Sequence, residues 1–243
     1  MNVISEDNLL LESLINNKMI MRNEGASIEI IVRPDCNQKC KYCYLVQHGK
    51  ESYPLHTRVD RETTLRNIKL FMDYLTEKKY YVNELDIFAG DLFYDNLFFD
   101  FIDDIYNYYV EMHKLYPDKF DRNPRSPAIV IPCNFSFCND DEKIVKVQQI
   151  VDKFSELNMI LYFSYSSDGI YSTDVRECRE ITEEFYDKVL KFCADNHWGA
   201  HPMISYENID NAIKNYDWWK EKYAQHVMDG NTKPSFLEVR NDG

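Results

Sequence analysis

Nowhere in the 243-residue chain do about 18 apolar residues run together, which excludes an ordinary membrane-spanning helix. Basic residues are in short supply: 28 Lys and Arg stand against 41 Asp and Glu, giving a formal charge of -13 and a pI near 4.9. Such a surface is not built to neutralise phosphates, so nucleic acid is not expected as a general partner. The opening MNVISEDNLLLESLINNKMIMRNEG has no basic start, no apolar stretch of signal length and no small-residue cleavage site. Export is therefore not expected, and the acidity suits a soluble cytoplasmic protein. Low-complexity linkers are also missing. Seven cysteines, an odd number without a secretory signal, read as reduced thiols. Where thiols cluster, metal binding or redox chemistry is the expectation rather than a disulfide scaffold.

What is present is a 44% hydrophobic chain, enough for one substantial core of barrel or doubly wound size. Strands and helices alternate along it. Ser27 to Arg33 (SIEIIVR), Glu84 to Ala89 (ELDIFA), Ala128 to Cys133 (AIVIPC) and Met159 to Ser164 (MILYFS) read as the first four strands. Gly199 to Ser205 and Phe236 to Arg240 read as the fifth and sixth. Between them, Leu65, Ile68, Met72 and Leu75 recur at helical spacing behind a capping Asp60. Further stripes follow: Phe98, Ile102, Ile105, Tyr109 and Met112; Ile144, Val147, Val151, Phe154 and Leu157; Ile181, Phe185, Val189 and Phe192. Ile209, Ile213, Tyr216, Trp219 and Tyr223 form the last, where at least one of Trp218 and Trp219 should be buried. The tract Phe120 to Pro127 is the most loop-like segment inside the pattern.

This alternation predicts an α/β fold with a parallel sheet and right-handed crossovers, either doubly wound or an open barrel. Residues 1–25 read as an N-terminal helical extension and 26–243 as the sheet domain. The chain stops at NDG directly after the sixth strand, as expected of a domain cut before a C-terminal auxiliary one. In both architectures chemistry gathers at the C-terminal ends of the strands.

The first of those ends carries RPDCNQKCKYCYLVQHG, with Cys36, Cys40 and Cys43 inside eight residues. Structural zinc takes four ligands in two distant pairs, and no second CxxC pair exists here. Ferredoxin-type clusters also use four cysteines. Three thiolates on a four-iron cluster leave one iron open, as a catalytic site requires. Cys133, Cys138, Cys178 and Cys193 read as buried or incidental free thiols.

The CxxxCxxC spacing in the loop after the first strand, with aromatic Tyr42 before the last cysteine, resembles the radical S-adenosylmethionine (radical SAM) superfamily. That resemblance implies a partial (βα)6 open barrel. It also implies a 4Fe–4S cluster on Cys36, Cys40 and Cys43, whose fourth iron is chelated by S-adenosyl-L-methionine (SAM). One-electron cleavage of SAM would then yield a 5′-deoxyadenosyl radical that abstracts a substrate hydrogen, with a low-potential electron donor as partner.

Other strand ends add to the likeness. Ala89, Gly90 and Asp91 sit where the family carries its GGE motif, with only the central glycine kept; the carboxylate would receive the SAM ammonium. Asn134 falls where relatives place Asn or Thr toward the cofactor. Ser166, Asp168 and Gly169 match an S-x-D-G stretch of peptide-modifying members, the hydroxyl suiting the SAM ribose. Arg176 and Arg179 are candidates for the SAM carboxylate, against a reading as solvated helix-start arginines. His201 and Met203 would line the fifth strand, where a core histidine is the competing reading.

The subgroup likeness implies a peptide or protein maturase. The alternatives are a radical SAM enzyme acting on a small molecule or RNA, and a non-catalytic iron-sulfur protein for electron transfer or regulation. A zinc-binding module is the third.

Overall fold

The computed structural model describes residues 25–32, 36, 38, 60–88, 90–93, 95–121, 127–164, 170–171, 182–196 and 209–226. Four strands, β1 (Ala26–Ile31), β2 (Val82–Phe88), β3 (Ala128–Pro132) and β4 (Ile160–Ser164), pair in parallel in the order β1-β2-β3-β4. The four strands expected from β-branched runs are therefore present, each within one or two residues of the expected start. The expected fifth and sixth strands and the N-terminal extension lie outside the described residues.

Strand order here follows chain order without reversal, whereas a doubly wound sheet reverses direction at its midpoint. With right-handed crossovers, a sheet that grows in one direction lays its helices along one face. The strand faces agree. Ile28, Ile30, Leu85 and Ile87 on β1 and β2, with Ile129, Ile131, Leu161 and Phe163 on β3 and β4, join one apolar core. Their alternates, Ser27, Glu29, Glu84 and Asp86 among them, face the other way and are exposed or half-buried. Sheets covered on both faces read as continuous apolar runs instead.

The helices are α1 (Arg61–Lys78), α2 (Leu97–Leu115), α3 (Pro117–Phe120), α4 (Asp141–Ser155), α5 (Glu183–Asp195) and α6 (Ile209–His226). Asp60 caps α1 as expected, accepting the Thr63 N–H at 2.8 Å. The α2 stripe is fully realised, with Phe98, Ile102, Ile105, Tyr109 and Met112 all buried. Polar contacts tie successive long helices side by side. Lys69 pairs with Asp104 between α1 and α2, and Lys153 with Asp103 between α4 and α2 at 2.8 Å. Lys188 of α5 reaches Asp141 of α4 at 2.9 Å, and His226 of α6 reaches Asp187 of α5 at 2.9 Å.

Two sequence expectations need correction. Ile213 was placed on the buried stripe of α6, yet it is 73% exposed, while Trp218 and Trp219 are both buried against Tyr186. The adjacent indoles offer far more apolar area than one isoleucine and turn the helix to their own side. Phe120 is not part of a loop: it is fully buried at the end of α3, edge-on to Tyr81 and His113.

Candidate functional site

Three strand ends meet around the Cys36 sulfur. The ladder runs one residue past β1, Val32 donating its N–H to the Phe88 carbonyl at 2.9 Å, and Cys36 follows four residues later with its thiol exposed. Among the described residues the sulfur accepts two N–H groups: the backbone of Gln38 at 3.4 Å and the side-chain amide of Asn134, from beyond β3, at 3.5 Å. Residues 98 positions apart in sequence thus meet at the carboxyl edge of the sheet.

The ends of β2 and β3 are built alike. Past β2, Asp91 turns its carboxylate onto the Phe93 N–H two residues on, at 3.0 Å. Past β3, Asn134 does the same with its carbonyl oxygen and the Ser136 N–H, at 2.9 Å. Such i to i+2 closures are the local geometry that Asp and Asn favour after a strand. The two turns are joined, Ser136 donating its hydroxyl to the other Asp91 oxygen.

Burial is deep here. Asp91 is 2% exposed and Asn134 7%. Desolvation raises the Asp91 carboxyl above its ordinary value, against which Ser136, the Phe93 N–H and Asn134 pull it back down. In the middle of the Asn134–Ser136 turn, Phe135 holds a left-handed φ of 59°, costly for a bulky side chain. It is held there by a fully buried ring packed on Phe137, Phe163 and Phe192. A strained residue kept next to a polar cluster is the pattern expected of a built site.

The remaining described thiols are of a different kind. Cys133, Cys138 and Cys193 are buried, as expected of inert core cysteines, and burial pushes the Cys193 thiol up to about 12. Burial raises Cys133 and Cys138 as well. A buried thiol held protonated is a poor metal ligand, since the thiolate is the ligating form. Cys36 alone of the four is exposed.

The structure therefore brings together Cys36, Asp91 and Asn134 of the expected site, with Gly90 beside Asp91. Tyr42, Cys40, Cys43, Ala89, Ser166, Asp168, Arg176, Arg179, His201 and Met203 lie outside the described residues. Ser136 and the Gln38 N–H were not foreseen. An Asn just after a strand signals a turn closed onto the backbone N–H two residues further on, but that N–H is common to almost any residue and does not mark the Ser136 hydroxyl. At Asp91, which the sequence places opposite a cofactor ammonium, one oxygen accepts the Phe93 N–H and the other the Ser136 hydroxyl.

Among the described residues no group of three His, Cys, Asp or Glu is placed to hold a metal, two of the three clustered cysteines falling outside them. The donor set around Cys36 nonetheless suits a thiolate ligand: an exposed sulfur met by two N–H groups is what a metal-bound cysteine accepts. A groove of about 580 Å³ between α2 and α4, lined by Asn96, Phe99, Lys143 and Lys153, includes none of this network. Compared with known proteins, the chain matches no family model and no curated protein.

Proposed function

We propose that the protein is a radical SAM enzyme whose parallel sheet continues into a partial (βα)6 open barrel, and that Cys36, Cys40 and Cys43 hold its 4Fe–4S cluster. The observation that carries the reading is the position of the CxxxCxxC loop. It opens at the carboxyl edge of a singly wound parallel sheet, with its first thiol exposed and hydrogen-bonded by a side chain from β3.

When bound, the cluster supplies one electron to the sulfonium of SAM. The chain's part is positional. Cys36 is presented at the carboxyl edge of the sheet, Asn134 and the Gln38 N–H orient its sulfur, and Ser136, anchored on Asp91, holds the Asn134 oxygen. The substrate in this reading is a peptide or protein side chain, reached from the exposed face of the sheet. Glu29, Glu84 and the half-buried Asp86 on that face favour a substrate carrying positive charge.

Anaerobic reconstitution with iron and sulfide is the test. The expected outcome is a brown protein with about four irons per chain that releases 5′-deoxyadenosine from SAM under dithionite. The Cys36→Ala, Cys40→Ala, Cys43→Ala triple variant should lose both colour and product. A colourless protein that takes up one zinc would replace the reading with a metal-binding module. A brown protein inert toward SAM would leave an electron-transfer or regulatory role.

A further inference from the structure

We propose that Asn134 is a positioning residue that sets the reduction potential of the cluster, through an N–H···S bond to Cys36 from an amide whose oxygen is held by Ser136, itself anchored on Asp91. The inference rests on the cluster reading above.

The orientation of the amide follows from its partners. Its oxygen accepts the Ser136 N–H at 2.9 Å, a contact that an NH2 group could not make, so the nitrogen must be the atom turned toward the sulfur. That nitrogen donates to the Cys36 Sγ at 3.5 Å. Both ends of the amide are thus engaged, the oxygen by Ser136 and the nitrogen by the sulfur. The side chain has no room to swing away, being 7% exposed beside a 2% exposed Asp91. Phe135, in its left-handed conformation, holds the intervening backbone in the shape that aims Asn134 at the sulfur.

A sulfur that accepts a hydrogen bond gives less charge to iron, which favours the more reduced, more negative cluster. Among the described residues, one such bond reaches Cys36 from a backbone N–H and one from a side chain. The Gln38 N–H belongs to the cysteine loop itself, whereas Asn134 couples the sulfur to the ends of β2 and β3. Removing the amide should leave a more electron-rich thiolate and a cluster that is harder to reduce.

The experiment is a potentiometric titration of the reconstituted full chain, followed by electron paramagnetic resonance, for wild type, Asn134→Ala and Ser136→Ala. Iron content and far-ultraviolet circular dichroism serve as controls. For Asn134→Ala the midpoint should move to more negative potential. A tenfold lower reduced-to-oxidised ratio at fixed poise corresponds to about 59 mV for one electron. Ser136→Ala keeps the backbone N–H that holds Asn134 and loses only the hydroxyl on Asp91, so its shift should have the same sign and be smaller. An unchanged midpoint in a folded, iron-loaded Asn134→Ala protein overturns the proposal while leaving the cluster reading intact. Failure of the wild type to assemble a cluster overturns both. Should Asn134→Ala fail to fold, Ser136→Ala decides, and an unchanged midpoint there overturns the proposal.

Discussion

Tyr108 and Tyr109 are neighbours on α2, both buried, and burial raises both phenols above their ordinary value. Their hydroxyls differ in what they meet. Tyr108 accepts the Val82 N–H at 2.9 Å and donates to the Tyr80 carbonyl at 2.7 Å, pinning α2 to the entry of β2. The Tyr109 hydroxyl meets no hydrogen-bond partner among the described residues. Tyr108→Phe should therefore cost about 1–3 kcal/mol, because it strands two backbone groups. Tyr109→Phe should be neutral or stabilising by about 1 kcal/mol, since a buried orphan hydroxyl is removed. Paired urea denaturation curves check both, and equal losses would contradict the hydrogen-bond assignment. The site divides in the same way between what sequence shows and what it hides. Cys36, Asp91 and Asn134 were legible because thiol spacing and strand-end position mark them. Ser136 was not, because its importance lies in reaching back 45 positions to Asp91, a distance no local pattern encodes.

At the scale of elements, helix ends decide more than helix middles. Thr182 caps α5, its hydroxyl accepting the Phe185 N–H at 3.1 Å, and Glu183 and Glu184 follow in the first turn. Thr182→Ala should destabilise the protein by about 1 kcal/mol while Thr182→Ser retains most of the cap, read as midpoint shifts in denaturant. Helical stripes and caps were visible in the sequence because both have short, fixed spacings. The facing of α6 was not. Periodicity allows Ile213 or the Trp218–Trp219 pair to lead, and only packing against Tyr186 of α5 selects the indoles. The short α3 escaped notice because four residues carry no period. Its buried Phe120 is explained by the rings of His113, at the end of the preceding helix, and of Tyr81, which lies far off along the chain.

Over the whole molecule, the sheet's two faces set its response to pH. Asp86 on β2 is raised above its ordinary value by burial first, then by Glu84 and by Glu29, its partner on β1. A carboxyl that binds its proton more tightly when folded contributes to stability at low pH, and that contribution is lost as pH rises through the folded value. Asp86→Asn should accordingly stabilise the protein at pH 7 by a few tenths of a kcal/mol, the scale of a like-charge pair across two strands. The gain should close toward about pH 3.5, where the carboxyl is largely protonated in both states. Denaturant midpoints at the two pH values give the comparison; a gain that persists in acid would rule out the charge explanation. Fold class was readable because the alternation of strand and helix is a pattern of the whole chain. The one-sided winding became clear only from strand order, since the same alternation serves both architectures.

That order bears on how the protein is made. Among the described strands, β2 pairs with β1, β3 with β2 and β4 with β3, so each strand finds a docking edge in one already synthesised. A reversing sheet would leave early strands waiting for partners on both sides. Here the nascent chain can add one strand and one covering helix at a time as it leaves the ribosome, with each closure spanning a single unit. The amide that meets the Cys36 sulfur arrives with the third strand, and the thiol loop gains its rigid neighbour at that stage of synthesis.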